Sequence, residues 1–384
     1  MEPNKRIAII LGLNTPWHRS VLAGLPLFRP RSGRWTFNIF RPDADGAAQM
    51  RRWHPDGILG AIDSAAIART GLDTGLPTVS ITEGLPEFAM HRVVLDGEAC
   101  GRLAAGHLTE TGVSNFAYVG WKGHPASPYR LRGFQDGLLD RQQTPEQIDL
   151  SGFGTDRPIA QLVEWLLTLQ RPCGLFCFND ITAMTVLHAA AQIGLRVPED
   201  LAVLGVDNDE ALCTLMTPGI SSVSPRPRLT GKLAADLLDR LILGEVPPLK
   251  RIPVQPRGVI QRASTDHLSI ADEGIARAVR HIREHAGSGI NVAEVAQSVG
   301  IGRRTLEKGI QRELGHSPLE EIQRARIRLA RHFLSETTLP LEEVATRSGF
   351  RDLNHLTRTF RARLSTTPGA YRRERRSTNR SSRK

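Results

Sequence analysis

Two stretches in the last third of this chain are one segment written twice. Val295-Ala296 matches Val344-Ala345 and Gly300 matches Gly349 at an offset of 49. Beyond the glycine the offset becomes 50: Leu306 matches Leu356, Ile310 matches Phe360, Leu314 matches Leu364 and Pro318 matches Pro368. Each copy predicts a short apolar helix, a glycine turn and a second amphipathic helix, so the fold must accommodate a helix-turn-helix twice. Asn291 and Glu294 give the first copy a capping-box start, and Pro340 suits the first turn of the matching helix. Residues 319–335 read as a connecting helix with Ile322, Ala325, Ile327, Leu329, Ala330 and Phe333 turned inward. At ~1.5 Å per residue it spans about 25 Å, enough to hold two helices near one turn of DNA apart.

The excess charge sits in the same place. Residues 271–384 hold 23 Lys+Arg against 13 Asp+Glu, whereas residues 1–270 hold 27 of each. The formal +10 therefore belongs to the C-terminal block, the pattern of a neutral domain joined to one that binds nucleic acid. Only 5% of the chain is aromatic, too little for a broad single-strand stacking platform. Cys100, Cys173, Cys177 and Cys213 lie mostly in apolar runs without C-x2-C spacing, which predicts buried free thiols and no metal. His281-Ile282-Arg283-Glu284-His285 has the H-x-x-E-H form of a zinc site, but no third ligand accompanies it. No secretory signal and no membrane span is evident, so a cytoplasmic protein is expected.

Residues 1–268 alternate short apolar runs with helical patterns. Ile7–Leu11, Thr36–Phe40, Gly57–Ile62, Pro77–Ile81, Phe116–Val119, Leu175–Phe178 and Ala202–Val206 read as strands. Helical stretches such as Ala99–Thr109 and Ile181–Ile193 separate them, which implies parallel sheets covered on both faces. In such sheets ligands sit beyond the C-terminal strand ends. Polar residues closing the strands are thus the candidates: Asn14, Asp63, Glu83, Asn179, Asp180, Asp207 and Asn208.

Two resemblances sharpen this reading. Asp96 to Leu108, Asn115 to Gly120, Tyr129 to Phe134, and Phe178-Asn179-Asp180 through Gly205-Val206-Asp207 resemble the sensor domain of the lactose/galactose repressor family. That likeness implies an α/β two-lobed, periplasmic-binding-protein-like sensor domain over residues 1–268, its lobes crossing near 114, 222 and 252. Gly349-Phe350-Arg351-Asp352-Leu353-Asn354-His355-Leu356-Thr357-Arg358-Thr359-Phe360, followed by Thr367-Pro368-Gly369-Ala370-Tyr371, resembles the signature of the AraC/XylS family. It implies an all-α DNA-binding domain with two helix-turn-helix motifs over 273–375. A 269–272 linker and a basic, disordered 376–384 tail complete the expected layout. The fusion of the two resembles the xylose-operon activator family.

The resemblances also assign roles. Arg130, Asn179 and Asp207 fall where the sensor family contacts its effector, and carboxylates and Arg forks suit the vicinal hydroxyls of a sugar. Trp17 serves either as a stacking platform or as core; Asp63, Glu83 and Asn14 are further candidates. Asp180 is expected to cap the helix from Ile181. On DNA, the base-reading positions fall on Arg304, Glu307 and Lys308 in the first copy and Asn354, His355 and Arg358 in the second. Arg303, Arg312, Arg351 and Arg361 are expected on phosphates. Gly309, inside the first reading helix, departs from the usual pattern. The expected partners are an operator duplex, a sugar effector, a second copy of the chain and RNA polymerase, with no cofactor and no membrane. The competing reading is a sugar- or nucleotide-acting enzyme with a nucleic-acid-binding appendage, though no nucleophile or acid–base motif stands out.

Overall fold

In the computed structural model, residues 4–13, 15–150, 156–245, 251–266, 272–337, 339–364 and 366–373 are described. The chain divides into two compact units, Met1–His267 and Leu268–Lys384.

The first unit holds two six-stranded sheets. Its first lobe takes β1 (Asn4–Ile10), β2 (Arg34–Phe40), β3 (Gly57–Gly60), β4 (Thr78–Ser80) and β5 (His91–Leu95), with helices α1 (Pro16–Leu22), α2 (Ala44–Trp53) and α3 (Ala65–Asp73) between them. The second lobe takes α4 (Gly97–Glu110), β6 (Asn115–Trp121), α5 (Ser127–Leu138), β7 (Glu146–Leu150), α6 (Asp156–Thr168), β8 (Cys173–Cys177), α7 (Asp180–Gln192), β9 (Leu201–Val206), α8 (Glu210–Leu215) and β10 (Ser221–Ser224). The chain then returns to the first lobe with α9 (Pro227–Ile242) and β11 (Arg251–Val254), and β12 (Gly258–Ile260) closes the second sheet. The strand orders are β11-β5-β4-β3-β1-β2 and β12-β10-β9-β8-β6-β7. Every pairing is parallel except β10 with β12. Strands β3, β8 and β9 are buried along their whole length, as parallel strands covered on both faces must be.

The chain first changes lobe at Asp96, not near 114. Helix α4 packs its Cys100, Ala104 and Leu108 on Phe116, Tyr118 and Phe134, inside the second lobe's core. The crossings expected near 222 and 252 fall at 225–226 and 255–257, after β10 and β11 have each completed their pairing. Asp96 ties two crossings together. Its Oδ1 accepts from Ala99 N at 2.9 Å to cap α4, and its Oδ2 accepts from Gln255 Nε2 at 2.6 Å. All four cysteines are free and buried.

The second unit is helical: α10 (Glu273–His285), α11 (Val292–Ser298), α12 (Arg303–Leu314), α13 (Pro318–Glu336), α14 (Leu341–Arg347) and α15 (Leu353–Leu364). The duplicated pattern becomes duplicated structure. Helices α11 and α14 start 49 residues apart and α12 and α15 start 50 apart. Gly300 and Gly349 both adopt positive φ, at 70° and 77°, which favours glycine in each turn. Asn291 and Glu294 form the capping box, whereas Pro340 is the N-cap of α14 rather than its first helical residue. Each copy has its own core. Val295, Leu306 and Ile310 pack with Ile275, Ile322 and Ala325 in one. Val344, Leu356 and Phe360 pack with Ile327, Ala330 and Leu334 in the other. Helix α13 thus supplies both. Of the expected linker only Asp272 is described, as the N-cap of α10; the 376–384 tail and Asn14 lie outside the described residues.

Candidate effector cleft and nucleic-acid interface

The second lobe gathers its candidates at the C-terminal ends of β8 and β9. Asn179, not Asp180, caps α7: its Oδ1 accepts from Thr182 N and Thr182 Oγ1, both at 2.9 Å. That leaves the Asn179 amide nitrogen without a partner among the described residues. Asp180, 2% exposed, works as a bracket instead. Its Oδ1 accepts from Ser222 Oγ at 2.6 Å and its Oδ2 from Asp209 N at 2.8 Å. The bracket holds a turn in which Asp207 and Asn208 both take positive φ, at 106° and 47°. Two consecutive non-glycine residues in that region are strained, and such strain concentrates at binding sites. Asn208 is fixed from both sides, its N donating to Ser222 Oγ and its Oδ1 accepting from Arg262 Nη2, each at 2.9 Å.

Asp207 keeps some contact with solvent, yet its carboxyl group is desolvated and makes no side-chain hydrogen bond among the described residues. Burial pushes its pKa up to about 6 against the pull of Arg130, with Asp209 adding to the rise. Burial raises Asp180 to about 7, with Asp207 contributing. Arg130, on α5, is 7% exposed. Its guanidinium donates to the Phe178 carbonyl and stands 4.3 Å from the Phe178 ring centroid, while its Nε is buried without a partner. An aromatic wall continues from Phe178, with His124 at 4.6 Å and Trp121 at 5.5 Å between ring centroids. Burial, then Arg130, depresses His124 to about 4. Its Nδ1 accepts from Ala126 N at 3.1 Å, so the neutral ring carries its proton on Nε2. Sequence reasoning passed over Trp121 and His124; Trp121, closing β6, was the available signal.

The first lobe's candidates are more dispersed. Trp17 packs on the core around Ile7 and Val21 and meets His18 edge-on at 5.4 Å. His18 donates from Nδ1 to Gly12 O at 2.9 Å, and burial lowers its pKa. Exposed Asp63 accepts from Thr82 Oγ1 at 2.7 Å. Glu83 is occupied by Arg251, with contacts of 2.6 and 3.0 Å to its Oε1. Arg251 in turn lies 5.2 Å from the Tyr129 ring on α5, so this ion pair reaches from one lobe to the other.

In the helical unit the candidate faces are exposed as amphipathic helices require. Arg303, Arg304, Glu307, Lys308 and Arg312 line the outer face of α12; Asn354, Arg358 and Arg361 line that of α15, with Arg351 exposed in the turn before it. His355 is half-buried, edge-on to Phe350 at 5.3 Å, and burial followed by Arg358 lowers its pKa. Several candidates are already paired within the protein. Arg303 meets Glu307 at 2.9 Å, Arg312 meets Glu313 at 2.8 Å and Asp272 at 3.5 Å, and Arg351 meets Asp352 at 3.0 Å. Exposed pairs of this kind are worth ~0–1 kcal/mol, so a phosphate can displace them. Arg304, Lys308, Arg358 and Arg361 have no hydrogen-bond or ion-pair partner among the described residues. His281 and His285 stack at 4.2 Å on α10, and among the described residues no cluster of three metal-ligating side chains occurs. No described helix is long and apolar enough to cross a membrane.

Comparison with known proteins accounts for both units. Residues 105–265 match the periplasmic binding protein-like domain family and residues 295–374 a helix-turn-helix domain family. The chain is 31% identical over 386 residues to the xylose operon regulatory protein of Escherichia coli (strain K12), an alignment covering 96% of each. To the protein of the same name from Haemophilus influenzae it is 25% identical over 388 residues, covering 97% and 99%. A solved structure of a xylose-binding transcription activator superposes with a TM-score of 0.70 at 30% identity, covering 97% of this chain and 98% of that one.

Proposed function

Because this chain belongs to the family of xylose operon regulatory proteins, we propose that its cleft takes D-xylose and that the bound sugar controls how its helical unit engages an operator. The chain is a sugar-responsive, DNA-binding transcriptional regulator of xylose genes, not an enzyme. In this reading Arg130, Asn179 and Asp207 bind the sugar. Asp207 carries the argument: a desolvated carboxylate with no donor of its own, on a strained turn, is matched by a ligand that offers hydroxyls and no charge. The Phe178, His124 and Trp121 wall suits the apolar face of a sugar ring. Trp17, Asp63 and Asn14 are contributors from the first lobe, and Glu83 acts through Arg251.

The helical unit inserts α12 and α15 into successive major grooves. Arg304, Glu307 and Lys308, then Asn354, His355 and Arg358, read base edges. Arg303, Arg312, Arg351 and Arg361 hold phosphates. The protein acts in the cytoplasm as a homodimer and activates transcription through contact with RNA polymerase. Exposed Phe37 and Ile39 on the edge strand β2, 48% and 44% accessible, support a dimer through the sensor.

Thermal unfolding of the full chain with a pentose and hexose panel tests the sugar, since a ligand that binds only the folded state stabilises it. D-xylose raises the transition temperature and changes operator affinity in a gel-shift titration. No shift with any sugar overturns the reading of the cleft. Sedimentation showing only monomer, with and without operator and sugar, overturns the dimer.

A further inference from the structure

Arg326, in the middle of α13, is 9% exposed, and no carboxylate pairs with it among the described residues. Its charge is held by carbonyls instead: Nη2 donates to Ile290 O at 2.8 Å and Nε to Ala286 O at 3.4 Å. Both carbonyls belong to the segment joining α10 to α11, in the first copy. The second copy closes on the same point. Gly349, in its turn, approaches so tightly that a Cβ there would lie 2.0 Å from Ala286 O and 3.1 Å from Arg326 Nε. A Cβ on Gly287 would likewise lie 2.9 Å from Arg347 O. Three elements from both copies thus meet at one guanidinium.

The rest of α13 shows why this point matters. Toward its N-terminus, buried Glu321 anchors the helix to the first copy alone, through Arg283 and His316, both at 2.8 Å. Toward its C-terminus, Ile327, Ala330 and Leu334 belong to the second copy's core alone. The copies share a helix but not a core. The Arg326 charge is also felt at His355, near the start of α15. Burying an unpaired guanidinium is costly, and an apolar side chain would fill the space without that cost.

We infer that Arg326 is a positioning residue that locks the two helix-turn-helix copies in one relative placement and so sets the spacing of the two base-pair clusters the protein accepts. The inference rests on the DNA-binding reading of α12 and α15. A buried cation held by two carbonyls of one copy beneath the turn of the other permits one arrangement. The remaining ties through α13 are apolar contacts and the long, partly exposed contacts of Arg363 on α15 to Glu320 at 3.5 Å and Gln323 at 3.4 Å, which permit a small range.

The test uses the full-length protein with Arg326→Met, which keeps the bulk and removes the donors, and Arg326→Lys, which keeps the charge and part of the donor set. Operators are selected from a random duplex library by the parent, then lengthened by one or two base pairs between the two contacted clusters. The parent is expected to lose about tenfold or more in affinity on each insertion, in the range of a serious mismatch. Arg326→Met loses affinity on the selected site but much less on insertion, with Arg326→Lys between them. Equal insertion penalties in parent and Arg326→Met overturn the inference. Failure of the parent to select any duplex overturns the DNA-binding reading instead.

A second measurement needs no DNA and guards against a variant that merely unfolds. Spin labels at Gln311→Cys and Ala362→Cys, both exposed, report the distance between α12 and α15. The distribution is expected to be narrow in the parent and broader in Arg326→Met while the helical content is retained. An unchanged distribution also overturns the inference.

Discussion

Gly309 and Ile275 touch backbone to side chain: a Cβ on Gly309 would lie 2.2 Å from Ile275 Cδ1 and 2.5 Å from its Cγ1. The glycine that looked out of place in the first reading helix is what lets α10 lie against α12, over a core in which Ile275 is 1% exposed. Gly309→Ala should therefore destabilise the helical unit. It gains about 1 kcal/mol of helix propensity but overpacks a closed core at about 1–3 kcal/mol. Urea titration of the full chain checks the sign. The penalty should shrink in an Ile275→Ala background, because the two changes compete for one space.

Asp207 gives a pH dependence of defined direction. Sugar hydroxyls need its carboxylate charged, so D-xylose affinity should fall as pH drops below about 6, by at most about tenfold per unit. Calorimetry between pH 8 and pH 5 follows it. Affinity that is flat across that window removes Asp207 from the sugar's contacts.

The sugar-free protein should respond the other way. An unfolded carboxylate releases its proton near ~4, whereas folded Asp207 holds it until about 6. Through that interval the native state binds more protons, so stability falls as pH rises and is level above it. Asp207→Asn should consequently raise the sugar-free melting temperature at pH 7.5, and the gain should vanish below pH 4. A melting temperature lower than the parent's at pH 7.5 would show that the carboxylate holds the fold rather than awaiting a ligand.

Arg130→Lys should abolish sugar binding although charge is conserved. The planar fork over Phe178 and the donation to its carbonyl are guanidinium geometry that an ammonium cannot reproduce. Calorimetry with D-xylose, beside a thermal melt showing a folded variant, is the check.

Arg358 and Arg361 should behave differently on DNA. Arg358→Ala is expected to cost about 1–3 kcal/mol on the selected operator and to relax preference at one base pair. Arg361→Ala should weaken operator and scrambled duplex alike and flatten the salt dependence by about one unit. If Arg358→Ala loses as much on scrambled DNA, it is a phosphate contact.

What the sequence made legible follows from range. The duplicated helix-turn-helix, its glycine turns and the Asn291 capping box are signals within a few residues, and each appears in the structure. The parallel sheets follow from apolar runs of strand length. The first lobe crossing was misplaced because α4 follows β5 after one residue, and nothing local tells which sheet a helix will cover. Asn179 and Asp180 are adjacent and both favour caps; only Ser222 and Asp209, 42 and 29 residues away, draw Asp180 off to bracket the turn. Glu83 looked free for a ligand because its partner, Arg251, lies 168 residues further on. Gly309 and Arg326 owe their meaning to contacts more than 30 residues distant, which no periodicity reports.

The four buried cysteines divide the molecule for a chemist's reagent. Cys173, Cys177 and Cys213 belong to one core of the second lobe and Cys100 to its other; the first lobe and the helical unit have none. Burial pushes the thiols of Cys100 and Cys173 up to about 12 and those of Cys177 and Cys213 higher still. A folded chain therefore offers almost no thiolate at neutral pH. The rate at which an alkylating reagent is consumed becomes a clock for the opening of one lobe, silent to fraying elsewhere. Slowing of that clock by sugar would measure how much of the ligand's binding energy is stored in the half of the sensor that carries Asp207.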